Sequence, residues 1–173
     1  MKGIRMWAGA VALVAGLTSQ ASAQLISNNS WNFFSWTNST VVAAPWATFT
    51  FNAPAQGSVV QITDIANIGD RFRLDWTGTT SGFFETGPFS GGDGVDTGIL
   101  NADAAWADPR LSKGSALFGA GNYNMTLSVI RNATGFDSGG AFLRATTVPE
   151  PSTYALLATG LIALVVTARR RRV

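Results

Sequence analysis

Hydrophobic and polar residues trade places at every step along several stretches of the chain. Ala47, Phe49 and Phe51 alternate with Thr48 and Thr50, Val60 and Ile62 with Gln61 and Thr63, and Phe72, Leu74 and Trp76 with Arg71, Arg73 and Asp75. Tyr123, Met125, Leu127 and Val129 alternate with Asn124, Thr126 and Ser128, and a last short run holds Phe142 and Arg144. Side chains on a strand point to opposite faces with a period of two, so each run predicts a strand with one buried and one wet face. Pro54, Gly57, Gly69, Gly78, Gly82, Gly87, Gly119, Gly121, Gly135 and the Gly139-Gly140 pair punctuate the runs as turns. Only Ala102–Ala107 reads as a helix, soon ended by Pro109. The Gly-rich stretch from Thr77 to Asn101 reads as one large loop or a hairpin tip. Strands at this spacing without crossover helices predict an all-β fold, antiparallel sheets in a β-sandwich of jelly-roll type over residues 24–147. No segment recurs at a fixed period, which argues against a solenoid or propeller.

Both ends break the alternation. Lys2 and Arg5 precede an apolar run of about a dozen residues, and Ala21-Ser22-Ala23 supplies small residues in an A-x-A arrangement. Residues 1–23 therefore read as a signal peptide cleaved after Ala23, and the chain as exported. Near the other end, residues 154–168 carry no charge and run directly into Arg169, Arg170, Arg171 and Arg172. A helix from Pro151 to Ala168 would be about 27 Å long at 1.5 Å per residue, just enough for a hydrocarbon core of about 30 Å with some local thinning. Pulling four arginines through that core would cost on the order of 10 kcal/mol, so they act as a stop-transfer cluster. The expected topology is a transmembrane helix over 154–168 with the domain outside and the tail inside.

Val148-Pro149-Glu150-Pro151-Ser152-Thr153, an apolar stretch holding Gly160 and a terminal arginine cluster together resemble the PEP-CTERM sorting signal over residues 148–173. The resemblance implies an exosortase (a membrane protease-transpeptidase) as partner and cleavage near Pro149, Glu150 and Pro151. It further implies a Gram-negative-type bacterium, a precursor held in the inner membrane, a mature form at the cell surface or outside the cell, and association with exopolysaccharide or biofilm matrix. Two prolines hold an extended backbone that cannot continue a helix, a shape that a protease cleft can bind. The stretch TDIANIGDRFRLDWTG, with the later NADAAWADPRLSKGSALFGAGNYNMTLSV and GGAFLR, is similar to a domain common among such surface proteins, most of which lack an assigned activity.

Charge and composition narrow the rest. The formal net charge of +2 is misleading, because the cations cluster in the two end segments. Between residues 24 and 147 nine carboxylates face six cations, so no basic patch exists to displace counterions, and no nucleic-acid partner is expected. The chain has neither cysteine nor histidine, which removes disulfides, thiolate and imidazole catalysis, and the usual zinc and copper sites. No cofactor is expected.

The remaining candidates have bland counterparts. Residues 91–99, GGDGVDTGI, nearly match a calcium-binding nonapeptide, but once only and with Gly98 at the apolar position. Such repeats share ligands between stacked turns, so Asp93 and Asp96 are weak metal candidates and an acidic loop is the simpler reading. Glu85, Asp103 and Asp108 are the carboxylates considered for glycoside chemistry, yet no spacing singles out a pair, and Asp103 could equally charge a helix start. No catalytic constellation emerges, and the chain reads as a non-enzyme. Trp31, Phe33, Phe34, Trp36, Trp46, Trp76 and Trp106 read first as core and second as a sugar-stacking face. Adjacent Phe83 and Phe84 must point to opposite faces if extended. Asn-x-Ser/Thr at Asn28, Asn38, Asn124 and Asn132 reads as chance in an Asn/Thr-rich chain. Two functions result: a non-enzymatic surface or matrix protein, or a carbohydrate-binding module using exposed aromatics.

Overall fold

Thr48–Ala53 shows how the alternation becomes structure: Phe49, Phe51 and Ala53 are buried while Thr48, Thr50 and Asn52 face water. The computed structural model of the protein describes residues 23–25, 28–37, 47–148 and 156–162. Signal residues 1–22, the Pro149-Glu150-Pro151 stretch and the arginine tail lie outside these described residues, as do Ala21 and Trp46. In chain order the elements are β1 (Ala23–Leu25), β2 (Asn32–Trp36), β3 (Thr48–Ala53), β4 (Ser58–Asp64), β5 (Arg71–Gly78), β6 (Gly82–Glu85), α1 (Ala102–Ala107), β7 (Lys113–Phe118), β8 (Gly121–Arg131) and β9 (Gly139–Thr147). They form a five-stranded sheet in the order β1-β3-β8-β5-β6 and a four-stranded sheet in the order β2-β9-β4-β7.

The two sheets share one hydrophobic core. Phe49, Phe51, Phe72, Leu74, Met125 and Leu127 come from the larger sheet, and Phe34, Trp36, Val60, Ile62, Phe118 and Leu143 from the smaller. The rings pack edge to face, with centroids 5.3 Å apart for Trp36 and Phe72 and 4.9 Å for Trp76 and Phe118. Each large side chain taken fully out of water contributes roughly 1.5–3 kcal/mol. A smaller cluster of Ile65, Ile68, Ala105 and Leu111 seats α1 beside β4. Asn101 caps α1 by accepting from Ala104 N–H at 3.0 Å.

The all-β expectation holds, with two corrections. The larger sheet is mixed rather than antiparallel, because β1 pairs with β3 in parallel. After β1 the chain passes to the smaller sheet for β2 and returns, so β1 and β3 need not reverse. The Gly-rich stretch is also more than a loop, since Gly82–Glu85 form β6 on the edge of β5. Phe83 is 55% exposed there while Phe84 turns inward onto Trp76. The edge strands β1, β2, β6 and β7 are too short or too glycine-rich to give a clear period.

The two ends of the paired sheets are built differently. At one end lie the loops after β4, β6 and β8, which with the last residue of β4, Asp64, carry Asp70, Asp93, Asp96, Asp108, Arg110 and Asp137. At the other lie the short turns between β3 and β4, β5 and β6, and β7 and β8, together with the end of β9. There Gly57 has φ +81°, and a Cβ on it would meet the Phe118 carbonyl oxygen at 2.7 Å. Only glycine fits.

Candidate functional site

The last strand hands the chain directly to its C-terminal segment. Thr147 is the Cα partner of Ser58 at the start of β4. Val148 N–H donates to the Gly57 carbonyl at 3.2 Å, and Thr146 Oγ1 donates to the Val59 carbonyl at 3.4 Å. Pro149 follows with no intervening spacer. Residues 156–162 are helical and present Leu156, Leu157, Leu161 and Ile162 outward. The remainder of the expected 154–168 helix lies outside the described residues, among which no helix is long and apolar enough to cross a membrane.

On the outer face of the smaller sheet, Trp31, Phe33, Phe142 and Trp106 form a connected group. Phe33 and Phe142 centroids are 5.5 Å apart, and those of Trp31 and Trp106 are 5.9 Å apart. Arg144 lies 4.1 Å above the Trp31 ring and donates to Gln61 Oε1 at 2.6 Å. Trp31 Nε1 donates to Asp103 Oδ1 at 2.8 Å, and Arg144 reaches the same oxygen at 3.3 Å. Phe33 packs against Gly140, where a Cβ would meet its ring at 2.7 Å, and stays 53% exposed. Phe34 and Trp36 from the same strand are core. On the outer face of the larger sheet, Gln24, Thr50, Asn52, Gly78, Asn122 and Asn124 line a cavity of about 380 Å³ with amides and hydroxyls. The alternation predicts that Thr50 and Asn124 face water; only the sheet order brings the group together.

The carboxylates serve the loops. Asp93 accepts from Thr134 N–H at 3.0 Å and Thr134 Oγ1 at 2.6 Å, and pairs with Arg131. The Thr134 hydrogen bonds, with the Arg131 charge, hold its carboxyl below the usual range. Asp96 accepts from Gly98 N–H at 2.7 Å within its own turn. Glu85 faces Arg71 and Arg73, each at 3.5 Å. Asp108 ends α1 and pairs with Arg110 at 2.6 Å, whose hydrogen bonds pull its carboxyl down to about 2. Glu85, Asp103 and Asp108 thus keep separate partners and are not gathered into one cleft. Among the described residues no group of three or more His, Cys, Asp and Glu could hold a metal ion.

Periodicity does not single out a buried polar knot under the loops. Asp64 and Asp70 are both buried. Asp64 Oδ1 accepts from Ile65 N–H at 2.8 Å, while its Oδ2 has no hydrogen-bond partner. Asp70 Oδ1 accepts from Ala133 N–H at 2.7 Å, and Ser112 Oγ donates to the Asp70 carbonyl. Burial, reinforced by the charge of Asp70, pushes the Asp64 carboxyl up to about 9. Burial also raises Asp70 to about 6, against the pull of the Ala133 hydrogen bond. The DIANIGD spacing was the available signal, two carboxylates bracketing an apolar turn.

Residues 147–172 match the PEP-CTERM protein-sorting motif. The chain carries a PEP-CTERM sorting domain. This makes the C-terminal segment an exosortase-directed sorting signal and the chain an exported protein, held at the membrane and then processed. The PEP-CTERM match begins at Thr147, the last residue of β9, so signal and folded region meet without a gap. No curated protein matches the chain. Among solved structures, one from the tripod (BppUct-A-L) of the bacteriophage Tuc2009 baseplate aligns over 86% of this chain and 79% of its own at 13% identity, with a TM-score of 0.22. So loose a likeness carries no argument about fold or function.

Proposed function

We propose that the protein is a non-enzymatic surface or matrix protein, made as a precursor and delivered by its PEP-CTERM signal. Residues 1–23 direct export and are removed after Ala23. Residues 24–147, two sheets packed as a β-sandwich of jelly-roll type, lie outside the inner membrane while residues 154–168 span it and Arg169–Arg172 stay inside. Exosortase then cuts near Pro149-Glu150-Pro151 and releases the domain toward the cell surface and its exopolysaccharide. The observation that carries this reading is the sorting motif starting where the last strand ends. The mass of the mature protein in its host tests it: a species beginning at Gln24 and ending near residue 150 is expected, and Pro149→Ala with Pro151→Ala should leave the tail attached. A wild-type mature chain that retains Arg169–Arg172 overturns the reading.

A second reading, carbohydrate binding, is favoured by Phe33 lying open beside Phe142 on the outer face of the smaller sheet. An exposed aromatic ring is suited to stacking on the apolar face of a sugar. Polysaccharide pull-down with the mature protein tests this, with Phe33→Ala expected to lower retention at unchanged melting temperature. Equal retention of both forms removes the aromatic site.

A further inference from the structure

The end of the domain that leads into the sorting signal is free of charge. It comprises Asn28–Ser30, Ala53–Gly57, Gly78–Gly82 and Phe118–Asn122, around the Val148 N–H bond to Gly57. Among these described residues none is Asp, Glu, Lys or Arg, although residues 24–147 hold fifteen such side chains. All fifteen lie mid-sheet or among the opposite loops. Strand directions do not require this, since both ends of the sheets lie at the surface, where charged residues are ordinarily found.

The chain's own geometry says what this end meets. Seven residues, 149–155, separate Val148 from the helix at 156–162, and even fully extended they reach about 25 Å at 3.3–3.6 Å each. Pro149, Glu150 and Pro151 are the first three of them in sequence, following Val148, whose N–H bonds the Gly57 carbonyl. A protease holding that stretch in its cleft therefore abuts the domain. Any charge on the apposed surface would be desolvated without a partner, at a cost that lowers the population of the productive complex. Leu117, 72% exposed opposite Val59 at the rim, adds a small apolar contact. A lipid surface is the poorer fit, because among the described residues this end offers neither Lys or Arg for anionic headgroups nor an exposed Trp or Tyr for the interface.

We infer that this uncharged turn end is a docking face for the exosortase, so the enzyme reads the end of the folded domain together with the Pro-Glu-Pro stretch. The inference rests on the processing proposed above. Pulse-chase of the full precursor in cells with the exosortase tests it through the rate at which the shortened product appears. Ala55→Glu, Thr80→Glu and Ala120→Glu combined should slow processing about tenfold or more, as for a buried unpaired charge or two. The Lys set at the same positions should slow it too, because either sign is costly, and it serves if the Glu set fails to fold. Ala104→Glu with Ser138→Glu, away from this end, should process at the wild-type rate. Ten Gly/Ser residues inserted between Val148 and Pro149 should erase the difference between the Glu set and the unsubstituted domain, both then being processed at the slower rate of an undocked precursor. Wild-type rates in both charged sets overturn the inference while leaving processing intact. A wild-type precursor that is never shortened overturns both. If the charged sets are slowed only in proportion to lost binding to protease-free phosphatidylethanolamine/phosphatidylglycerol vesicles, the face meets lipid and the inference fails.

Discussion

The two ends of the domain solve the same problem, closing the sheets, with opposite chemistry. At the loop end, polar side chains hold long connections: Asp93 clasps Arg131 and Thr134, Lys113 Nζ donates to the Trp106 and Asp108 carbonyls, and Ser112 bonds Thr86 and Asp70. At the turn end the chain reverses in a few residues, held by Gly57, backbone hydrogen bonds and the uncharged hydroxyls of Thr79 and Tyr123. Long loops need charge and buried polar groups to fix them, and so become sensitive to pH. Short turns need only permitted backbone geometry, and so can shed charge altogether.

The sharpest way to separate the ends is titration. Both buried carboxyls lie above the ordinary value of 3.8. Below about pH 4 folded and unfolded chains both hold these protons and nothing is lost. As pH rises the unfolded chain releases them first, so stability falls up to about pH 6 through Asp70 and about pH 9 through Asp64. Thermal melts across pH 4–9 should fall by several kcal/mol in total, and Asp64→Asn, which keeps the acceptor for Ile65 N–H, should remove most of the slope above pH 6. An unchanged slope in that variant would show that Asp64 does not carry it.

Gly57→Val attacks the other end. A β-branched residue at φ +81°, with a Cβ 2.7 Å from a backbone oxygen, should cost about 2–3 kcal/mol. Denaturant melts read that loss, which should not vary between pH 4 and 9. The smallest expected effect is local. Arg131→Ala frees one contact of Asp93, so amide exchange around residues 91–98 should quicken while the exchange of β8 and β4 stays the same.

Much of this protein was legible before folding was considered. Five of the nine strands follow from alternation alone, because a half-buried strand must write its two faces into its sequence. Ala102–Ala107 is a helix where its composition and Pro109 predict one. The sorting signal is legible without the fold, because its motif and the order of its apolar and charged residues stand in the sequence itself. Other features come from long-range pairing that no local period records. Parallel β1 against β3, Arg144 over Trp31, and Gln24 beside Asn122 join residues far apart in sequence. The unpaired oxygen of Asp64 and the charge-free turn end belong to the same class. The identity of each residue was written in the chain, but burial and nearness to the C-terminal exit are set only when the sheets close on one another.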